Sequence, residues 1–252
     1  MVEQHFHVVI GEAIGLIPAR GGSKSIPLKN LHTLGEKPLI QWSIDAAKEA
    51  GNSLSNLFCS TDHPRITEFC ERSGVSCIQR PEDLAGDDAP VTDAIRHCLK
   101  VLAVQNHGCI PEIVVLLQPT SPFVRPEDIT DLVNLLSSDS DALSAQTIMP
   151  VYHNSHAFNQ RIMNESNQVS FNFKNERALA YNKQRKPALY LFGNLVATRS
   201  TALLDGKDCF AEPSIGKVID RFHALDVDSP DDFKLAELMI AANLVGTGRT
   251  ND

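Results

Sequence analysis

No apolar run in the 252-residue chain reaches the roughly 18 residues that a membrane-spanning helix needs, so no membrane association is expected. The opening MVEQHFHVVIGEAIGLIPAR lacks a cationic start and a clean apolar stretch before a small-residue cleavage site, so no secretion signal is read there. Positive charge is not in excess either. Lys and Arg number 23 against 31 Asp and Glu, a formal charge of −8, which argues against nucleic acid as a partner. The six cysteines (Cys59, Cys70, Cys77, Cys98, Cys109 and Cys209) form no C-x-x-C pair, and several sit in apolar contexts. They read as free buried thiols of a reducing compartment, which makes a cytoplasmic location the expectation. There is no internal repeat. What remains is an ordinary globular composition, 42% hydrophobic and 21% charged, in a chain long enough to fold without a disulfide or structural metal.

Short apolar runs rich in β-branched residues occur at 13–17, 57–61, 75–78 and 113–117 and read as strands covered on both faces. Helical stretches follow Pro38, Pro64, Pro90 and Pro126, and the first two stop near Gly51 and Gly74. This alternation predicts an α/β fold with a mostly parallel sheet and helices on both faces. Trp42 falls in an amphipathic helix and is expected in the core. The pattern breaks between Pro150 and Pro187, where Asn, Gln, His and Arg dominate and only Val169–Phe173 alternates like a hairpin strand. That stretch reads as an insertion into one domain covering 1–252. His153 and His156 are three apart, but no acid or cysteine completes a set nearby, so no zinc site is expected. His5 and His7 flank an early apolar stretch and read as surface residues. Strand signal resumes at 190–198 and 222–227. A helix then opens at Ser229-Pro230-Asp231-Asp232, with Ser229 as the N-cap. The tail after Gly246 is expected to fray.

The most informative stretch is IPARGGSKSIPLKNL, residues 17–31. It follows the first strand, at the sheet edge where open α/β folds bind ligands. Gly21 and Gly22 allow close backbone approach, and Arg20, Lys24 and Lys29 are its only charges, with no acid between Glu12 and Glu36. It matches neither Walker A nor G-x-G-x-x-G. The choice lies between an anion site and a solvated basic loop. Near the other end, Asp226 and Asp228 are two apart and would share one face of an extended strand. They read either as a cation-binding pair or as acids favouring the start of the next helix.

Residues 17–31 resemble the nucleotide-binding signature of the acylneuraminate cytidylyltransferase (CMP-sialic acid synthetase) family. Ser60-Thr61-Asp62, QRPEDLAGDDAP (79–90), LLQPTSP (116–122) and LDVDSPDDF (225–233) agree in the family's order, so the resemblance covers roughly 13–240. It implies a Rossmann-like nucleotidyltransferase fold and transfer of CMP from CTP to a nonulosonic sugar acid. It also implies Mg²⁺ as cofactor and a homodimer through a dimerisation insertion at about 150–190.

Carried onto this chain, the resemblance places the nucleotide against Arg20, Gly21, Gly22, Ser23, Lys24, Asn30, Arg80, Asp87 and Ala89. Arg20 and Lys29 would stabilise charge during attack, and Asp226 and Asp228 would hold the metal, with Asp228 also catalytic. Arg80 could donate to a cytosine base, and Asp87 would organise its loop; the alternative for residues 79–90 is a surface loop capping a helix. Gln118, Thr120, Lys183 and Gln184 would face the sugar. Gln118 is followed by Pro119 and Thr120 where the related 3-deoxy-manno-octulosonate enzymes carry a different pattern, which favours the sialic-type branch. In NKQRKPALYLFGNL (182–195), Lys183 stands where that branch usually has arginine, and Gly193-Asn194 reverses its Asn-Gly order. The acceptor class therefore includes legionaminic- and pseudaminic-type acids. Phe171, Phe173 and Tyr181 would anchor the insertion on a second copy, unless it folds as a lid on its own subunit.

Overall fold

A computed structural model describes residues 6–23, 25–180 and 182–246, without the side chain of Lys183. His5, Lys24, Tyr181 and the tail beyond Gly246 thus lie outside the described residues. The strands are β1 (His7–Pro18), β2 (Thr33–Leu34), β3 (Lys37–Pro38), β4 (Asn56–Thr61), β5 (Ser76–Gln79), β6 (Cys109–Leu117), β7 (Ser144–Pro150), β8 (Arg161–Met163), β9 (Val169–Phe171), β10 (Tyr190–Arg199) and β11 (Ser214–Val218). The helices are α1 (Leu39–Glu49), α2 (Pro64–Arg72), α3 (Val91–Gln105), α4 (Pro126–Ser138), α5 (Lys174–Leu179), α6 (Ser200–Leu204) and α7 (Pro230–Ala241).

Seven strands form one sheet in the order β11-β7-β10-β6-β1-β4-β5. All pair parallel except β10, which runs antiparallel to both β6 and β7. Alternation along β1 explains the layering. Ala13 and Ile17 face a cluster with Ile40 and Ile44 of α1, Ile66 of α2 and Ile129 and Leu132 of α4. Ile14 and Leu16 face the other way, onto Ile95 and Leu99 of α3 and Leu203 of α6. This is the expected mostly parallel sheet with helices on both faces.

A third cluster lies beyond the sheet. Leu34, Leu39, Trp42, Phe123, Val227 and Phe233 pack together there. Trp42 is core, as expected; its ring meets Phe123 edge-on at 5.5 Å, and its Nε1 donates to Leu34 O at 3.2 Å. This cluster corrects one expectation. Residues 222–227 do not enter the sheet. Val227 is buried in the third cluster instead, and its N–H donates to Thr120 O at 2.7 Å. α7 then starts as expected: Ser229 Oγ accepts from Asp232 N at 3.3 Å, and Asp232 accepts from Ser229 N at 2.8 Å.

Between β7 and β10 the chain leaves the sheet, and β8 and β9 pair there as a hairpin. His156 is a structural residue here. Its Nδ1 accepts from Phe158 N at 3.1 Å, which leaves Nε2 to donate to Pro187 O at 3.1 Å. Phe171 and Phe173 are engaged inside the insertion. Phe171 lies 4.6 Å from the Arg161 guanidinium and 4.1 Å from that of Arg177, and Phe173 lies 6.2 Å from Phe158. Among the insertion's described apolar side chains, Ile162, Met163, Val169 and Leu179 are the most exposed, each more than half in solvent. No helix among the described residues is long and apolar enough to cross a membrane.

Candidate active site

The loop leaving β1 and the segment before α7 meet at the carboxyl edge of the sheet. Lys29 sits in a short 3₁₀ turn, Lys29–Leu31. Its Nζ donates to Asp228 Oδ1 at 2.8 Å and to Val227 O at 3.1 Å. Ser25 Oγ reaches across to Asp228 O at 2.7 Å. Two stretches about 200 residues apart are thereby stitched together at the mouth of one cleft of about 510 Å³.

That cleft is lined by Arg20, Gly22, Ser23, Lys29 and Asn30 from the loop, by Arg80, Asp87 and Ala89, by Gln118 and Thr120 after β6, and by Asp226 and Asp228. Although Gly21 is not itself part of the wall, most of the residues singled out from the sequence therefore converge. Gln184 does not: it is exposed on the 3₁₀ turn Lys183–Arg185 of the insertion and is not part of the cleft wall. Lys24 and the Lys183 side chain lie outside what is described.

The two glycines have different reasons. A Cβ on Gly21 would stand 2.7 Å from the Cβ and Cδ2 of His63, whose own Nδ1 caps α2. Gly21 N donates to Asp62 Oδ1 at 2.8 Å, which locks the loop onto the end of β4. A Cβ on Gly22 would meet nothing within 4 Å. Gly21→Ala is therefore expected to destabilise the protein by about 1–3 kcal/mol through overpacking. Gly22→Ala should stay within about 0.5 kcal/mol. Thermal unfolding of the two variants checks the contrast.

Arg20 is paired: Nη2 lies 2.8 Å from Asp87 Oδ1, and Nη1 donates to Gly86 O at 2.7 Å. Asp87 thus fastens its loop to the loop after β1. It does not cap α3, whose N-cap is Pro90 with no side-chain bond. Asn30 is buried and donates to Arg20 O at 3.0 Å, so it holds the loop backbone. Arg80 is only 6% exposed, and Nε and Nη2 donate to Ser60 Oγ at 3.1 Å and Ser60 O at 2.9 Å. Burial lowers its pKa from the ordinary value. Its remaining N–H groups are what a ligand can meet.

Asp226 and Asp228 flank buried Val227 and face the same way, even though the segment is no strand. Loss of solvent in the cleft pushes the Asp226 carboxyl above its usual range. A hydrogen bond with Thr120 opposes the shift, the charge of Asp228 adds to it, and Lys29 draws it back. Sequence reasoning assigned no role to Ser25, Asp62 or Val227, which hold the two halves in register. The Gly21–Asp62 contact crosses strands that sequence order alone does not pair.

Residues 14–204 match the family model described as cytidylyltransferase. The chain belongs to the cytidylyltransferase family. This cytidylyltransferase is 28% identical over 235 residues to a CMP-N,N'-diacetyllegionaminic acid synthase of Legionella pneumophila, with 91% of this chain and 97% of the relative covered. A pseudaminic acid cytidylyltransferase of Campylobacter jejuni is 29% identical, with 90% and 96% covered. An N-acylneuraminate cytidylyltransferase of Escherichia coli is 28% identical over 88% of this chain, which spans only 51% of that longer protein. Among solved structures, a CMP:2-keto-3-deoxy-manno-octonic acid synthetase complexed with CTP superposes with a TM-score of 0.67 at 17% identity. That match covers 92% of this chain and 99% of the other and bears on the fold alone.

Proposed function

We propose that this cytidylyltransferase transfers CMP from CTP to the anomeric hydroxyl of a nonulosonic, sialic-acid-like sugar acid and releases pyrophosphate. The observation that carries the reading is the joining of Lys29 to Asp228 at the mouth of a cleft to which the stretches 17–31, 79–90, 116–122 and 225–233 all contribute. The legionaminic acid synthase and the pseudaminic acid cytidylyltransferase, each matched over nearly its whole length, support the acceptor class.

The chemistry asks for in-line placement and positive charge rather than covalent help. The sugar oxygen attacks the α-phosphorus as the bond to pyrophosphate breaks. Arg20 and Lys29 border the cleft where negative charge accumulates. Asp226 and Asp228 fit a hard divalent cation. They are two oxygen-donor carboxylates on one face, the first pushed towards its neutral form by desolvation and by the second, with Lys29 supplying only one compensating charge. In this reading they hold Mg²⁺, which when bound offsets the triphosphate's charge. Either carboxylate can take the proton of the attacking hydroxyl. Gly22, Ser23 and Lys24 are assigned to the phosphates, with Gly21 holding the loop through Asp62, while Arg80 and Ala89 border the base.

Gln118 and Thr120 face the sugar in this assignment. Lys183 and Gln184 lie on the insertion, and Gln184 is exposed and not part of the wall of its own cleft. A homodimer in which the insertion serves a second copy accounts for that placement, and the outward Ile162, Met163, Val169 and Leu179 support it. The reading treats the chain as one cytoplasmic catalytic domain.

The test is pyrophosphate release from CTP and Mg²⁺ with a panel of nonulosonic acids. Turnover with at least one is expected. Folded protein that is silent with every sugar would remove the assignment.

A further inference from the structure

Outside the cleft, three sulfurs converge. The Sγ atoms of Cys59, Cys70 and Cys77 all lie within 4.8 Å of one another. They arrive from three elements. Cys59 and Cys77 are register partners on the parallel strands β4 and β5, and Cys70 comes from α2, which packs over both. None is disulfide-bonded. Cys59 and Cys70 are buried, whereas Cys77 is half-buried and opens the group towards the surface.

The geometry is close to that of a coordinated ion. Some point lies within about 2.8 Å of all three sulfurs, and a zinc–thiolate bond is about 2.3 Å, so modest inward side-chain motion completes three bonds. The donor set is sulfur alone, with no carboxylate or imidazole in the cluster. Such a set favours soft cations and discriminates against Mg²⁺. Cys77 Sγ also lies 3.8 Å from Thr67 O and 4.0 Å from Val75 O, so backbone carbonyls fix it on the side of the cluster nearest α2 and β5.

We propose that Cys59, Cys70 and Cys77 form a three-thiolate binding site for a soft d¹⁰ cation, distinct from the carboxylate pair of the cleft. Cys59 directly precedes Ser60, the residue that holds Arg80 at the cleft wall, so a bound cation lies one residue along β4 from the nucleotide side of the molecule.

The probe is Cd²⁺, added to the reduced, metal-free full chain in the presence of excess Mg²⁺. One Cd²⁺ per chain is expected, with a thiolate-to-cadmium charge-transfer band in the ultraviolet. Cys70→Ser should weaken binding at least tenfold, and Cys209→Ser should leave it unchanged. X-ray absorption on the unaltered chain should show about three sulfur neighbours around the ion, a readout that needs no variant to fold. The proposal is overturned by an oxygen- or nitrogen-only shell, by the absence of stoichiometric binding, or by a Cys70→Ser protein that keeps full affinity.

Discussion

Lys29→Ala is expected to lower turnover by about 10²–10³-fold, by analogy with removal of one preorganised charge-stabilising donor. The Lys29 side chain is only 11% exposed, and its ammonium is fixed by Asp228 Oδ1 and Val227 O, so it needs little reorganisation when negative charge develops beside it. The fold should survive, because the charge left behind, on Asp228, keeps 70% of its side chain in solvent and is not stranded in the interior. The variant has a second signature. Lys29 draws the Asp226 carboxyl downward, so its loss should move that titration further above the ordinary value. Single-turnover rates of pyrophosphate formation and carboxyl titration by NMR measure the two effects. Unaltered turnover in a folded Lys29→Ala protein would strip the residue of its assigned part.

The largest stability effect is expected at Asp128, far from the chemistry. Its side chain is fully buried at the start of α4. Arg125 grips it in a fork, Nε to Oδ2 at 2.8 Å and Nη2 to Oδ1 at 2.9 Å, and Lys217 Nζ of β11 lies 2.7 Å from Oδ1. One carboxylate thus ties a helix to the edge strand of the sheet. Removing one partner of a buried ion pair costs about 3–5 kcal/mol. Arg125 and Lys217 retain partial hydration and other acids, including Asp220 and Asp131, so Asp128→Ala should fall near 3 kcal/mol, roughly the low end of that range. In a chain of this size that is a fall in Tm of roughly 6–12 °C. Asp131→Ala removes only an exposed partner of Lys217 and should cost less than about 1 kcal/mol. Equal melting of the two variants would show that burial of the carboxylate does not set the cost.

Much of this was legible in the sequence, and the exceptions have physical reasons. The inner strands announce themselves because burial on both faces demands continuous apolar runs. β7 does not, since it spends Ser144 and Thr147 on hydrogen bonds with Ser214, Asn194 and Leu195 rather than on packing. β11, SIGKV, is a short edge strand with a glycine and a lysine. The segment 222–227 misleads in the opposite sense. Its alternation of Leu225 and Val227 is real, but it packs against α1 and α7 in the third cluster and finds no sheet partner. The inference that Asp226 and Asp228 share a face survives this error, because an extended backbone alternates its side chains whether or not it is paired. Charge alone left the basic loop open between an anion site and a solvated surface. That Arg20 is held by Asp87, and Gly21 by Asp62, required knowing which loops adjoin.

The single reversed strand has an architectural consequence. β7 ends at the same edge as β1 and β6, and β10 starts from that edge because it runs backward. Residues 151–189 can therefore leave and rejoin the sheet without crossing to its far end. Changes of length or contacts in that stretch need not disturb the pairing of the strands beneath. If the proposed placement of Lys183 and Gln184 at the acceptor holds, a change in this segment would alter sugar contacts while the loop after β1 and its partners stay as they are.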